Sequence, residues 1–229
     1  MSVKILHRDD FLRGGFAGLK EHRMVMDPKA FGPHVNPGTW PGIGSFVYLA
    51  DAKFDPHGET RMHSHREIDV ISVMVEGNIS HEGSLEHGKN IEAHQAQVQR
   101  AGGEGFEHNE INPDNVKNRM IQIWALPEKP GQPAGYKFYE LEKGKLIRIY
   151  GGEKEQEETF DSHTIIEVGR LNKGQEIFRN GEFLAYITRG SGKLNGEEVT
   201  DGDLVSGDDI QFKADNDDVQ LIIITTKAQ

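Results

Sequence analysis

Met62-His63-Ser64-His65-Arg66 and Glu107-His108-Asn109-Glu110-Ile111-Asn112 stand near the two ends of a Gly-punctuated stretch that runs from Gly58 to Pro113. Each piece sets two metal-capable side chains two residues apart. Strand side chains alternate between faces, so residues i and i+2 share one. If both pieces are strands, His63 with His65 and His108 with Glu110 form two pairs that can face one another inside a barrel. Three imidazoles and one carboxylate make a mixed nitrogen and oxygen donor set suited to one divalent transition metal, whether iron, manganese, nickel, copper, cobalt or zinc. Calcium and magnesium want oxygen ligands and fit it poorly. A lone His-x-His in a chain with 11 histidines is a weak signal, but with His108-x-Glu110 between matching Gly-rich turns it becomes a strong one. Glu110 has two readings, a fourth ligand or a catalytic base beside the metal.

Outward from this stretch the pattern is one of short strands. Ser45 to Ala50 is apolar and aromatic, and Asp55-Pro56-His57-Gly58 reads as a turn. His63 to Asp69 leads into Val70-Ile71-Ser72-Val73-Met74-Val75, which breaks at Glu76-Gly77. Ile79 to His81, Ile91 to Gln99 and Arg119 to Leu126 continue the rhythm, without a convincing helix between them, which argues for a sandwich or barrel. Residues Met1 to Trp40 are broken by Gly and Pro and read as irregular segments with short strands that cover something rather than form a core. Pro127 to Gly135 is a Pro and Gly connector, giving expected domains of 1–135 and 136–229. The second half repeats the β pattern, with Asn180-Gly181 and Asn195-Gly196 as hairpin turns. Ten of the 11 histidines precede the connector and only His163 follows it, so a metal is expected in the first domain alone.

Composition narrows the function classes. With 229 residues, 35% apolar and 28% charged, the chain is globular rather than disordered. A formal net charge of -11 supplies no basic field for a phosphate backbone, so direct nucleic-acid binding is not expected. Cysteine is absent, which removes disulfides and thiolate ligands together. The first ten residues hold no apolar core of signal-peptide length, and Val70 to Val75 and Leu221 to Ile224 are too short to span a bilayer. A cytoplasmic protein with no membrane contact is the expectation.

Gly58, His63, His65, Asp69 and Gly77, followed by Gly105, His108 and Asn112, resemble the two motifs of the cupins, which are double-stranded β-helix, or jelly-roll, barrels. His63-Ser64-His65-Arg66, Glu76 to Leu85, Gly105 to Glu110 and Gln122 to Glu128 are more closely similar to the pirin family, a group of bicupins. That resemblance implies an all-β chain of two cupin barrels, with metal ligands at the positions matching His63, His65, His108 and Glu110 and Fe(II) as the usual metal. It also implies an activity, since some bacterial members oxygenate flavonols such as quercetin, opening the ring with release of carbon monoxide. The alternative it carries is a non-enzymatic redox sensor or transcriptional cofactor that binds a protein partner. The chain departs from the family pattern in lacking the usual aromatic cluster at Glu21 to Asp27 and the aromatic residue just before His63.

Other residues receive structural readings. Asp69 and Arg66 are taken as an ion pair at the barrel mouth. His57, His81, His87 and His94 fall in turns or on strand edges and are expected at the surface. Met24, Met26, Met62, Met74 and Met120 are packing residues, with Met62 beside the pocket.

Overall fold

Asp69 to Val75 is apolar at most positions and buried throughout, which suits the middle of a sheet rather than its rim. The computed structural model, which describes residues 2–227, puts it there. The chain is all-β apart from short helical turns. Its first twelve strands are β1 (Lys4–His7), β2 (Gly14–Phe16), β3 (Leu19–Met26), β4 (Phe46–Phe54), β5 (His63–His65), β6 (Asp69–Glu76), β7 (Asn78–Gly83), β8 (Lys89–Glu92), β9 (Gln95–Arg100), β10 (Phe106–Ile111), β11 (Arg119–Ala125) and β12 (Gly135–Glu140). A single helical turn, α1 (Pro28–Phe31), follows β3 and is capped by the Asp27 carboxylate, which accepts from the Lys29 amide.

The chain forms two compact units. One runs from Phe11 to Glu140, and the other joins the residues up to Asp10 to those from Leu141 onward. The division expected at 1–135 and 136–229 therefore shifts at both ends, for reasons of strand pairing. Strand β12 adds antiparallel to β9, Gly135 opposite Arg100, and so belongs to the first unit. The Pro and Gly connector that precedes it is tied down there too: the Gly131 amide donates to Glu67 Oε1 at 2.9 Å and Gly103 donates to the Gln132 carbonyl at 3.0 Å. Conversely, β1 pairs with a strand of the second unit, and Val3 packs against that unit's apolar core.

In the first unit a seven-stranded sheet runs in the order β12-β9-β6-β11-β4-β3-β2, and a four-stranded sheet in the order β5-β10-β7-β8. The small sheet carries both metal-capable motifs. Residues 19–26, expected to be irregular, form the eight-residue strand β3, which pairs with β4 along its length apart from one register shift between Arg23 and Val25. The sequence there lacks alternation because β3 presents Glu21 inward as well as Leu19, Met24 and Met26. The second unit is built from β13 (Lys145–Gly152), β14 (Ser162–Leu171), β15 (Glu176–Arg189), β16 (Ser191–Leu194), β17 (Glu197–Thr200), β18 (Asp203–Ala214) and β19 (Val219–Thr226). These run in the order β13-β14-β19-β15-β18-β16-β17, with β1 added on β18. Among the described residues no helix is long and apolar enough to cross a membrane.

The large sheet of the first unit contains a fully buried ion pair. Arg119 Nε donates to both Asp51 oxygens at 3.0 and 3.2 Å, and Nη2 adds a third bond to Oδ2 at 2.5 Å. Removing one member would strand the other charge in the interior. Asp51→Ala should lower the unfolding free energy by about 3–5 kcal/mol in urea titrations of the metal-free protein. A loss under about 1 kcal/mol would mean that Arg119 reaches water when its partner is gone.

Candidate metal centre

Strand β10 turns Phe106, His108 and Glu110 to one face, as the i, i+2 spacing requires, and all three are buried. Strand β5 lies antiparallel on it, with His63 opposite His108 and His65 opposite Phe106. Gly105, at φ +77, permits the close approach, since a Cβ there would lie 2.8 Å from the His65 carbonyl oxygen. The two motifs thus meet face to face, and ring nitrogens of His63, His65 and His108 all lie within 4.8 Å of one another. Glu110 extends the row by one step into the interior. Its Oε1 accepts from Ser72 Oγ at 2.8 Å and Gln97 Nε2 at 3.2 Å, so the tight group is three imidazoles with the carboxylate alongside.

Hydrogen bonds to carbonyl oxygens, which only accept, decide which ring nitrogens carry protons. His63 Nδ1 faces the Arg61 carbonyl at 2.8 Å and must be the donor, leaving a lone pair on Nε2. His81 Nδ1 likewise faces the Glu86 carbonyl at 2.9 Å, so His81 Nε2 is an acceptor. Against that acceptor lie Gln99 Nε2 at 3.0 Å and His108 Nδ1 at 3.3 Å. Two tautomers of His108 meet these neighbours: a proton on Nδ1 faces His81 and leaves a lone pair at Nε2, whereas a proton on Nε2 donates to His63 Nε2 at 3.0 Å. In the first tautomer both Nε2 lone pairs point at one place, where a shared cation satisfies them. The donor set fits a divalent transition ion, and each ring that hydrogen-bonds through its remote N–H does so in the manner of a metal ligand.

Burial keeps His65 and His108 neutral. Desolvation first, and the neighbouring histidine second, bring His65 down to about 4. The same causes, with His63, His65 and His81 all near, bring His108 down to about 2. Desolvation pushes Glu110 the other way, from the ordinary 4.5 up to about 7, against the opposing hydrogen bonds of Ser72 and Gln97.

His81 corrects an expectation, because it is fully buried behind His108 rather than at the surface. The signal was present in Ile79-x-His81: Ile79 is also fully buried, and alternation puts both on the inner face. Gly83 gives the pair room, since a Cβ there would come within 3.1 Å of both His81 Cε1 and His108 Cβ. Arg66 is exposed, and buried Asp69 faces Arg100 at 3.5 Å across the β6–β9 pairing. Met62 is 54% exposed and turns away from the pocket, unlike the four other methionines of that group, which are buried.

A cavity of about 210 Å³ opens beside the histidines, and His63, His65, His108 and Glu110 all border it. Its wall is aromatic even though residues 21–27 contain no Phe, Tyr or Trp: Tyr48 and Trp124 pack at 4.5 Å between centroids and Phe31 stacks on Trp124 at 5.8 Å. These rings come from β4, β11 and α1, which local reading of β3 could not reveal.

The raised carboxyl has a consequence for stability. Below pH 4.5 Glu110 is protonated in both folded and unfolded chains and contributes nothing. Between 4.5 and 7 the unfolded chain releases a proton that the folded one retains, so stability falls as pH rises, by about 3 kcal/mol above pH 7. Glu110→Gln should therefore stabilise the metal-free protein at pH 8 and leave it unchanged near pH 4.5. Unfolding titrations at the two pH values check this; an equal increment at both would refute the neutral buried carboxyl.

The sequence family model for pirin matches residues 25–125. A Zymomonas mobilis protein, provisionally assigned as a quercetin 2,3-dioxygenase, is 27% identical over 192 residues, covering 78% of this chain and 81% of that one. A quercetin 2,3-dioxygenase of Escherichia coli K12 is 30% identical over 70 residues, 30% of either chain. Among solved structures, a bacterial pirin from Escherichia coli in complex with nickel(II) superposes with a TM-score of 0.82 at 16% identity, over 99% of this chain and 100% of that one. A quercetin 2,3-dioxygenase from Acinetobacter baumannii gives 0.69 at 16% identity, over 98% and 85%. The structural likenesses establish an all-β bicupin fold, and the sequence match falls on the unit that holds the three histidines and Glu110. Over residues 25–125 the chain is similar to the pirin family, and its fold is that of a bacterial pirin.

Proposed function

We propose that this chain is a metal-dependent dioxygenase that opens a flat aromatic substrate of the flavonol type, quercetin being the model compound. One divalent ion, Fe(II) by preference, is held by His63, His65, His108 and Glu110. The observation that carries this reading is the convergence of three imidazoles within 4.8 Å on a ring-walled cavity of about 210 Å³. The names of several relatives support the substrate class.

When bound, the ion supplies Lewis acidity toward a substrate hydroxyl and the redox chemistry with dioxygen. The chain supplies position and proton handling. Trp124 and Tyr48 offer aromatic surface to a planar ring. Glu110, anchored by Ser72 and Gln97, has a proton affinity near neutrality and accepts the substrate's hydroxyl proton. The neutral state of His65 and His108 keeps their lone pairs available down to acidic pH, and the apolar wall excludes water from the reacting ring.

Loss of the quercetin absorption band in air, with carbon monoxide measured in the gas phase, tests the reaction. Turnover should be confined to iron-loaded wild type and absent from His108→Ala and metal-free protein. An inactive wild type with its metal confirmed would overturn the flavonol reading and favour a sensing or partner-binding role.

His81 should matter through His108 rather than through substrate. His81→Leu keeps the volume and removes the acceptor that orients His108 Nδ1–H, so metal affinity should fall about 10–100-fold. Competition with a chelator reads this directly, and an unchanged affinity would show that His108 needs no such anchor.

A further inference from the structure

The rows of side chains across β3, β4 and β11 place an unusual group in the cavity wall. The row Arg23–Ala50–Gln122 lies beside the row Glu21–Ala52–Met120. The methyl side chains of Ala50 and Ala52 keep the middle of this face low, so the flanking residues stand over it. Glu21, 3% exposed, has both oxygens engaged: Oε2 accepts from the Tyr48 hydroxyl at 2.9 Å, and Oε1 accepts from Arg23 Nε at 2.8 Å and pairs with Arg23 Nη2 at 2.6 Å. All three residues border the cavity.

Arg23 is held by Glu21, with the Tyr48 hydroxyl beside it. Its side chain is 34% exposed against 4% for Glu21, and among the described residues its ion pair is with Glu21 alone. A guanidinium has five N–H donors in a fixed plane, and the Glu21 contact engages Nε and Nη2. Nη1 stays outside that contact, which already reduces the side chain's rotameric freedom, and Arg23 borders the cavity. Such a pre-organised fork matches a carboxylate with two parallel, charge-assisted bonds, whereas Glu21, fully bonded, offers nothing to a ligand. Tyr48 supports the arrangement as a donor, since burial and the Glu21 charge hold its phenol well above the usual range. The pirin resemblance leads one to expect aromatic residues in this segment; Glu21 and Arg23 are a departure of this chain.

We propose that Arg23, braced by Glu21 and Tyr48, is a second recognition site in the cavity wall, for the carboxylate of an aromatic acid; quercetin, which has no carboxylate, would leave it unused. This inference rests on the reading of the cavity as the substrate site, but its test needs no turnover. Titration calorimetry with benzoate, and with neutral methyl benzoate as control, would be run on metal-loaded wild type, metal-free wild type, Arg23→Gln and Arg23→Lys, after the metal content of each loaded protein is confirmed.

Wild type should bind benzoate at least about tenfold more tightly than the ester, with or without metal. Arg23→Gln should lose that preference, and Arg23→Lys, which keeps the charge without the fork, should recover part of it. Benzoate binding that survives in Arg23→Gln but vanishes on metal removal would place the carboxylate on the metal and overturn the proposal. So would the absence of any preference for benzoate in wild type. Failure of quercetin turnover leaves these outcomes unaffected, so the two readings fail separately.

Discussion

Two imidazole nitrogens 3.0 Å apart need one proton or one cation between them, and the first barrel brings His63 Nε2 and His108 Nε2 to that arrangement. The carbonyl of Arg61 orients one ring, and a chain from the Glu86 carbonyl through His81 orients the other. Both constraints come from the small sheet. Strand β5 is only three residues long and gains its register from β10, which is itself paired on its far side with β7, the strand that carries His81. The surrounding structure resists relaxation: β6 is buried along almost its whole length, and Leu19, Phe54, Met74, Ile79 and Ile91 form an apolar cluster in the same unit. Packing, not the site, holds these rings in place.

What the sequence made legible was what alternation alone can express. His63-x-His65 and His108-x-Glu110 needed only the two-residue period of a strand to become inward pairs, and the Gly and Asn turns announced a β chain. What it hid depends on partners far along the chain. β1 and β12 exchange the expected domain edges because each completes a sheet whose neighbour is distant in sequence. The aromatic wall is assembled from α1, β4 and β11, so the lack of rings in β3 said little about the pocket. His81 was misjudged for a different reason: its strand looked like an edge with polar neighbours, although Ile79 on the same face pointed inward.

The two units solve the interior problem differently. The second fills its core with Leu171, Phe183, Val205, Phe212, Leu221 and Ile223, an apolar cluster that needs no ion. The first buries His81, Gln97, Gln99, His108 and Glu110, whose polar groups must be met by one another or by a ligand. His163, the one histidine of the second unit beyond the connector, is exposed. The loss of metal-capable residues from that unit is thus matched by apolar filling.

The pairing of β1 with β18 also bears on how the molecule assembles. Lys4 lies opposite Ser206, so β1 leaves the ribosome about 200 residues before its partner. At about 5–20 residues per second, roughly 10–40 s separate the two. All the strands of the first unit, by contrast, are complete once Glu140 has emerged. Synthesis therefore imposes an order in which the histidine-bearing barrel can close while β1 is still waiting, its edge unpaired, for the barrel it will join.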